Sequence, residues 1–250
     1  MKTHIAVVLS GLLLSTTSHA DTLLGLYGGA QMWAMESEGA FSSDANLASF
    51  TFDDERQGSY YLAFEHFIPL VPNAKLIQTS FDTNGFTELS SSFTFGGETF
   101  ASDTRLNTDV EMSMTDHILY YEILDNDLVS IDLGINAKKI DATISVDDTV
   151  NGISGSQDVT GYIPMVYSKI EFGIPATDWS IFAEGSYLSI DGHSVSDLNA
   201  AFEYRIIDSL AVNVALQVGG RAVTIELDDL DNTYTDLEFS GVYAGIEVHF

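Results

Sequence analysis

The side chains best suited to chemistry are acids and imidazoles, and their spacing argues against a reaction centre. Asp116 precedes His117 directly, and Asp191 stands two residues before His193. A carboxylate beside an imidazole can activate water for hydrolysis, provided both face one point in space. Neighbours in an extended segment point to opposite faces, so Asp116 and His117 cannot act as a pair. No protease signature surrounds them. His193 reads as a solvated turn residue, and His66 and His249 as rim residues. No glycine-rich phosphate loop opens a helix, and no His pair has zinc-ligand spacing. The chain has no Cys, which removes thiolate sites and disulfides. The reading is a non-enzyme without a cofactor, and with neither a catalytic nor a metal centre of known pattern.

Two other groups of charged residues stand out. Asp53-Asp54-Glu55, Asp147-Asp148, and Asp228-Asp229 with Asp231 are acidic clusters in polar stretches. Oxygen clusters suit hard divalent cations, which would bridge to phosphates of a neighbouring surface. No DxDxDG-type loop is present, and solvated acidic surface is the competing reading. The second group lies inside alternating segments: Glu65, Asp132, Lys138, Lys169 and Glu171, then Glu184, Glu203, Arg205, Arg221 and Glu247. Lining a lumen, these residues would form an ion-pair network filling a narrow barrel, since buried charges need partners. Because acids outnumber bases, a small cation-preferring passage is the alternative. Across the chain 9 Lys and Arg oppose 37 Asp and Glu, a net charge of -28, which argues against a nucleic-acid partner. The hydrophobic fraction of 45% argues against an acidic disordered chain.

The elements that position these groups have period two. Val129, Ile131, Leu133, Ile135 and Ala137 alternate with Ser130, Asp132, Gly134, Asn136 and Lys138. Leu198 to Ile206, Val212 to Val218 and Val242 to Phe250 alternate likewise, which means strands with one apolar and one polar face. Short connections at 68–73, 125–127, 175–178 and 208–209 alternate with mostly longer acidic ones at 36–57, 82–104, 147–158, 191–196 and 228–236. Short periplasmic turns and longer outside loops are the habit of outer-membrane barrels. The expectation is an all-β, antiparallel transmembrane β-barrel of about ten strands, with eight as the fallback. The expected strands are 22–35, 58–67, 74–81, 105–124, 128–146, 159–174, 179–190, 197–207, 210–227 and 237–250. Met112 and Met114 give way to Leu119 and Tyr121, and Ala137 to Ile140, Ala142 and Ile144. These shifts of phase predict a bulge or rim bend. The stretch 86–101, centred on Gly96-Gly97, predicts a small hairpin.

A soluble sandwich or lipid-binding barrel shows the same alternation with its apolar face inward. The alternating turn lengths favour lipid outside. So does the placing of aromatics near strand ends, with Phe67, Phe172, Trp179 and Phe250 at one rim and Trp33, Tyr60, Tyr162 and Tyr187 toward the other. At the N-terminus, Lys2, the apolar run from Ile5 to Leu14 and Ser18-His19-Ala20 read as a signal peptide over 1–20, leaving 21–250 as the barrel. No later run is long and apolar enough for a membrane helix.

The segment Tyr243-Ala244-Gly245-Ile246-Glu247-Val248-His249-Phe250 resembles the C-terminal signal read by the barrel-assembly machinery, with Tyr243, Gly245, Val248 and Phe250 at its key positions. The mature chain resembles an uncharacterised family of small outer-membrane β-barrels from Gram-negative bacteria. The carrying segments are Glu65 to Asn73 (EHFIPLVPN), Tyr120 to Asn126 (YYEILDN) and Glu184 to Ser189 (EGSYLS). The resemblance implies an outer-membrane location, with membrane lipid, lipopolysaccharide and the assembly machinery as partners, and no transferable activity. The expected role is envelope structure or narrow small-solute passage. A surface adhesin acting through 36–57 and 82–104 is the second reading, and a soluble periplasmic lipid-binding barrel the third.

Overall fold

Where apolar and polar residues alternate, the chain extends and seeks neighbours for its backbone. The computed structural model describes residues 24–126, 128–190, 192–209, 211–230 and 233–250. The stretch expected to be a signal peptide, 1–20, and Asp191 and Asp231 lie outside the described residues. The strands are β1 (Leu24–Ser42), β2 (Ala48–Phe52), β3 (Glu55–His66), β4 (Asn73–Ser80), β5 (Thr83–Glu88), β6 (Phe93–Phe95) and β7 (Glu98–Phe100). They continue as β8 (Arg105–Asp125), β9 (Val129–Asp148), β10 (Ile153–Gly173), β11 (Trp179–Ile190), β12 (His193–Asp208), β13 (Asn213–Leu230) and β14 (Thr233–His249).

All but β6 and β7 form one antiparallel ring with ten walls, because β2 continues β3 and β5 continues β4. β14 pairs β1 from Tyr27↔His249 to Ser42↔Tyr234, and Phe250 and Leu26 exchange backbone bonds of 2.9 and 3.2 Å at the seam. Closure leaves no exposed edge, the condition for spanning a membrane with strands. The two broken walls break side by side and are tied there. The Asp53 amide donates to Asn84 O at 2.8 Å, and Gln57 Nε2 donates to Asp82 O at 2.6 Å.

The ring extends much further than its acidic segments suggest. Most of the stretches expected as long loops are strand: β1 runs to Ser42, β9 to Asp148, and β12 starts at His193. Their acidity is one face of a continuing alternation, whose other face carries Phe41, Phe50, Val146, Ile225 and Leu237, all buried. The bulge or rim bend expected from the phase shifts in β8 and β9 is absent there. These strands pair in unbroken register from Asn107↔Asp147 to Glu122↔Asp132, with a bulge only beyond Glu122. Leu106, Val110, Met112, Met114, Asp116, Ile118 and Tyr120 all face inward. The backbone keeps step while the apolar residues change sides. Above the change, Asp109 and Glu111 face outward; below it, Leu119 and Tyr121 do.

At the end where Leu24 and Phe250 lie, every wall turns large apolar side chains outward, including Leu26, Leu62, Leu76, Leu119, Ile135, Val166, Ile181, Phe202, Val218 and Ile246. So broad an exposed belt suits lipid, not water. β8 has 21 residues, about twice the 9–11 needed to cross a bilayer, so its upper half projects beyond the lipid. The rim aromatics Phe67, Phe172, Trp179, Phe250, Tyr60, Tyr162 and Tyr187 are exposed as expected. Trp33 is not: it is 2% exposed, inside the barrel against Phe81.

β6 and β7 form the hairpin predicted at Gly96-Gly97, whose φ angles of 58° and 82° suit a tight turn favouring glycine. It lies across the far mouth. On one side Thr94 O accepts the Ser43 amide at 3.0 Å beside β1. On the other, Phe95 O stands 2.5 Å from where a Cβ on Gly155 of β10 would be, so only glycine fits there. β1 and β10 are on opposite sides of the ring.

Phe202 is mid-belt on β12. Phe202→Arg should weaken folding into bilayers by ~2–4 kcal/mol, read from urea titration in lipid vesicles. Asp109→Arg, on the projecting part of β8, should change stability by less than ~0.5 kcal/mol. Equal effects would contradict the placing of the belt.

Candidate functional site: the barrel interior

The interior has three zones. The far zone is a single apolar cluster drawing Trp33 and Phe41 from β1, Val110 and Met114 from β8, Ile144 from β9, Val195 from β12 and Phe239 from β14. The hairpin contributes Phe93, Phe95 and Phe100 to it: Phe93 packs on Phe41 and Phe50, Phe95 on Phe41, and Phe100 on Phe93. In water, such side chains are stabilised by about 1.5–3 kcal/mol each on burial, which is reason enough for this part to fill.

The middle zone is ionic. Lys138 Nζ lies 2.7 Å from Asp116 and 2.9 Å from Asp197. Arg221 donates to Asp197 twice, at 2.9 and 2.7 Å, and to Thr79 Oγ1 at 3.1 Å. Asn136 Nδ2 donates to Asp116 at 2.5 Å and to Ser186 Oγ at 3.0 Å. These residues sit on β4, β8, β9, β11, β12 and β13, so the network straps opposing walls together. Lys138 is 0% exposed and Asp116 2%. The cavity beside the cluster measures about 40 Å³, room for a few waters at about 10–15 Å³ each and for nothing larger. The middle of the barrel is therefore filled.

The third zone, at the short-turn end, is a chamber of about 860 Å³. Of the residues expected to line a lumen, Glu65, Asp132, Lys169, Glu171, Glu203, Arg205 and Glu247 line this chamber. Glu184 stands at its floor, bonded to Lys75 at 2.6 Å and to Tyr167 OH at 3.0 Å. Lys138 and Arg221 belong to the ionic zone instead. Arg205 reaches only the mouth, half exposed and 3.7 Å from Asp208. Tyrosines do much of the bonding: Tyr120 OH donates to Glu65 at 2.6 Å, and Tyr61 OH bonds Glu247. Sequence reading missed Lys75, Asp116, Asp197 and these tyrosines as interior partners. Strict alternation from Asp132 to Lys138 could have found Asp116 once the register with β9 was known.

The other candidates are placed as follows. His117 faces outward on the ring, opposite in sense to Asp116. His193 Nδ1 accepts the Asp228 amide at 3.2 Å. His249 stacks on Tyr27 with centroids 3.9 Å apart. Asp148 holds a turn, accepting the side chain of Asn151 at 2.6 Å and the amides of Asn151 and Val150 at 2.9 Å each. The Asn151 side chain first, then its amide, lowers this carboxyl below the usual aspartate value of 3.8. Among the described residues no three acids or histidines converge as metal ligands. Tyr243 faces the interior, while Val248 and Phe250 follow the outward phase of β14. In the short turns, Asn73 Oδ1 accepts the His66 amide at 3.0 Å, Tyr121 OH donates to Leu70 O at 3.0 Å, and Asn126 Oδ1 accepts the Leu128 and Val129 amides.

No protein-family model matches the chain, and no curated protein does. Among solved structures, the transport unit of the autotransporter AIDA-I from Escherichia coli is similar with a TM-score of 0.43 and 7% identity, over 94% of this chain and 93% of that one. The toluene transporter TodX of P. putida has a TM-score of 0.34 and 4% identity, over 92% and 90%. The CymD monoaromatic hydrocarbon channel has a TM-score of 0.30 and 12% identity, over 84% and 55%. Each likeness is distant, and no activity comes with it.

Asp197→Asn leaves Lys138 and Arg221 buried with one carboxylate fewer, and should cost ~3–5 kcal/mol in urea unfolding. An unchanged midpoint would contradict the strap. At the Asp148 turn the lowered carboxyl contributes only while ionised, so its share of stability is present above the unfolded value and lost as pH falls through the folded one. Amide exchange at Val150 and Asn151 should stay slow at about pH 4 and quicken in stronger acid.

Proposed function

We propose that the chain is an outer-membrane β-barrel closed to solutes, serving envelope structure and holding a rigid acidic extension on the outer surface. The observation that carries this reading is the filled interior: an ionic floor, an apolar core above it and a hairpin across the mouth. Leu24, Phe250 and the four short turns share one end, which suits the periplasm. The signal peptide at 1–20, the C-terminal pattern of Tyr243, Gly245, Val248 and Phe250, and the family resemblance support export to the outer membrane by the assembly machinery. The extension exposes Glu36, Glu38, Asp109, Glu111, Asp236 and Glu238 where lipopolysaccharide headgroups begin. Divalent cations shared between those carboxylates and the phosphates would hold the two surfaces together. The role is structural, not catalytic.

The test is planar-bilayer conductance of the refolded mature protein, its fold first verified by heat-modifiable gel mobility. The expected result is a folded barrel that stays electrically silent. Discrete, reproducible steps with cation preference would overturn the closed reading in favour of a passage.

A further inference from the structure

The chamber at the short-turn end is larger and more negative than a structural barrel needs. Five of its carboxylates, Glu65, Glu122, Asp132, Glu203 and Glu247, form no salt bridge among the described residues. Where they are bonded, the donor is neutral: Tyr120 for Glu65, Tyr61 for Glu247, Gln217 at 2.9 Å for Glu203, and Asn73 at 3.4 Å for Glu122. Asp132 is 5% exposed, and its Oδ1 has no partner at all. Glu122 faces Asp132 directly across β8 and β9. On its other side Asp132 is in register with Lys169, but that amine goes to Glu171 at 3.1 Å. Lys75, the other lysine lining the chamber, goes to Glu184. The chamber's own amines are therefore shared among several carboxylates, and clustered carboxylates inside a low-dielectric wall either take up protons or draw in counter-charge.

We infer that this chamber binds a small, flexible, multiply charged amine of the linear polyamine class, entering from the short-turn end. A single metal ion fits poorly, because the five carboxylates are spread over β3, β8, β9, β12 and β14 and no three potential ligands converge among the described residues. A ligand with separated ammonium groups can meet them one by one. The rings of Tyr61, Tyr120 and Tyr167 add cation-binding faces, and Lys75 already sits over Tyr61 at 4.6 Å. The chamber volume of about 860 Å³ lies in the range of small-molecule sites. This inference is independent of whether the barrel conducts.

Isothermal titration of spermidine into the mature protein in nanodiscs, at low salt and neutral pH, tests it. The expected result is one saturable site, weakened at least ~tenfold by the double change Glu122→Gln with Asp132→Asn. Glu36→Gln with Glu38→Gln, on the outer surface, should leave it unchanged. Heat-modifiable mobility verifies that each variant folds. Should the first double variant fail to fold, Glu203→Gln carries the same expected loss. Absence of saturable heat, or wild-type affinity in the chamber variants, would overturn the inference. Displacement of spermidine by an equal concentration of MgCl₂ would reduce it to simple ion condensation and overturn it as well. Binding of an oligolysine peptide but not of spermidine would assign the chamber to a protein segment instead.

Discussion

The structure depends on one level in the barrel, where the outer face passes from lipid to water. At that level His117 gives way to Thr115 on β8, Ala137 to Lys139 on β9, Leu198 to Ser196 on β12 and Ala222 to Thr224 on β13. The inward residues between these pairs are Asp116, Lys138, Asp197 and Val223, and Arg221 is the next inward residue below Val223 on β13. The buried ion cluster thus stands at the height of the transition. Below it, lipid accepts the apolar face outside, and nothing drives apolar groups inward. Above it, water drives them inward, and the polar residues take the outside. A regular pleat meets both demands without changing the backbone. Only the residue types change sides.

The closed interior follows from this constraint. A barrel that leaves the membrane as a continuous strand extension must fill that extension as a soluble protein fills its core. Phe41, Phe81, Met114 and Phe239 do so, and the phenylalanines of the hairpin finish it. The ionic cluster is then sealed from the far side and contributes chiefly by fixing which walls face which. Breaking such a buried pair costs more than forming it gains, which makes the cluster a device for specificity. Below it the membrane-embedded walls are free to enclose a wet chamber, because their stability comes from the belt outside.

Much of this was legible in the residues and some was not. Period two revealed the strands, the four short turns, the ten walls and the hairpin at Gly96-Gly97. It could not say which face was inner, so Trp33 was assigned to a rim and the Met112-to-Leu119 shift to a bulge. In both cases the apolar residue is inside because its level lies at or above the transition. Acidic composition imitated loops at 36–57 and 228–236, because an outward face in water is polar whether or not its backbone is paired. Among the interior charges, Glu65, Asp132 and Glu184 were visible from alternation alone. Their partners were not: Lys138 meets Asp197, and Arg221 meets Thr79, through ring closure that local pattern does not encode.

The most direct test uses the absence of native cysteines. Single cysteines placed along β8 can carry spin labels, with oxygen and a water-soluble nickel complex as relaxing agents in lipid bilayers. The account predicts three classes on one strand. Labels at Leu119 and Tyr121 respond to oxygen, labels at Asp109 and Glu111 respond to nickel, and labels at Val110 and Met114 respond to neither. Nickel access at Val110 and Met114 would mean a water-filled lumen through the extension, and would contradict the closed barrel.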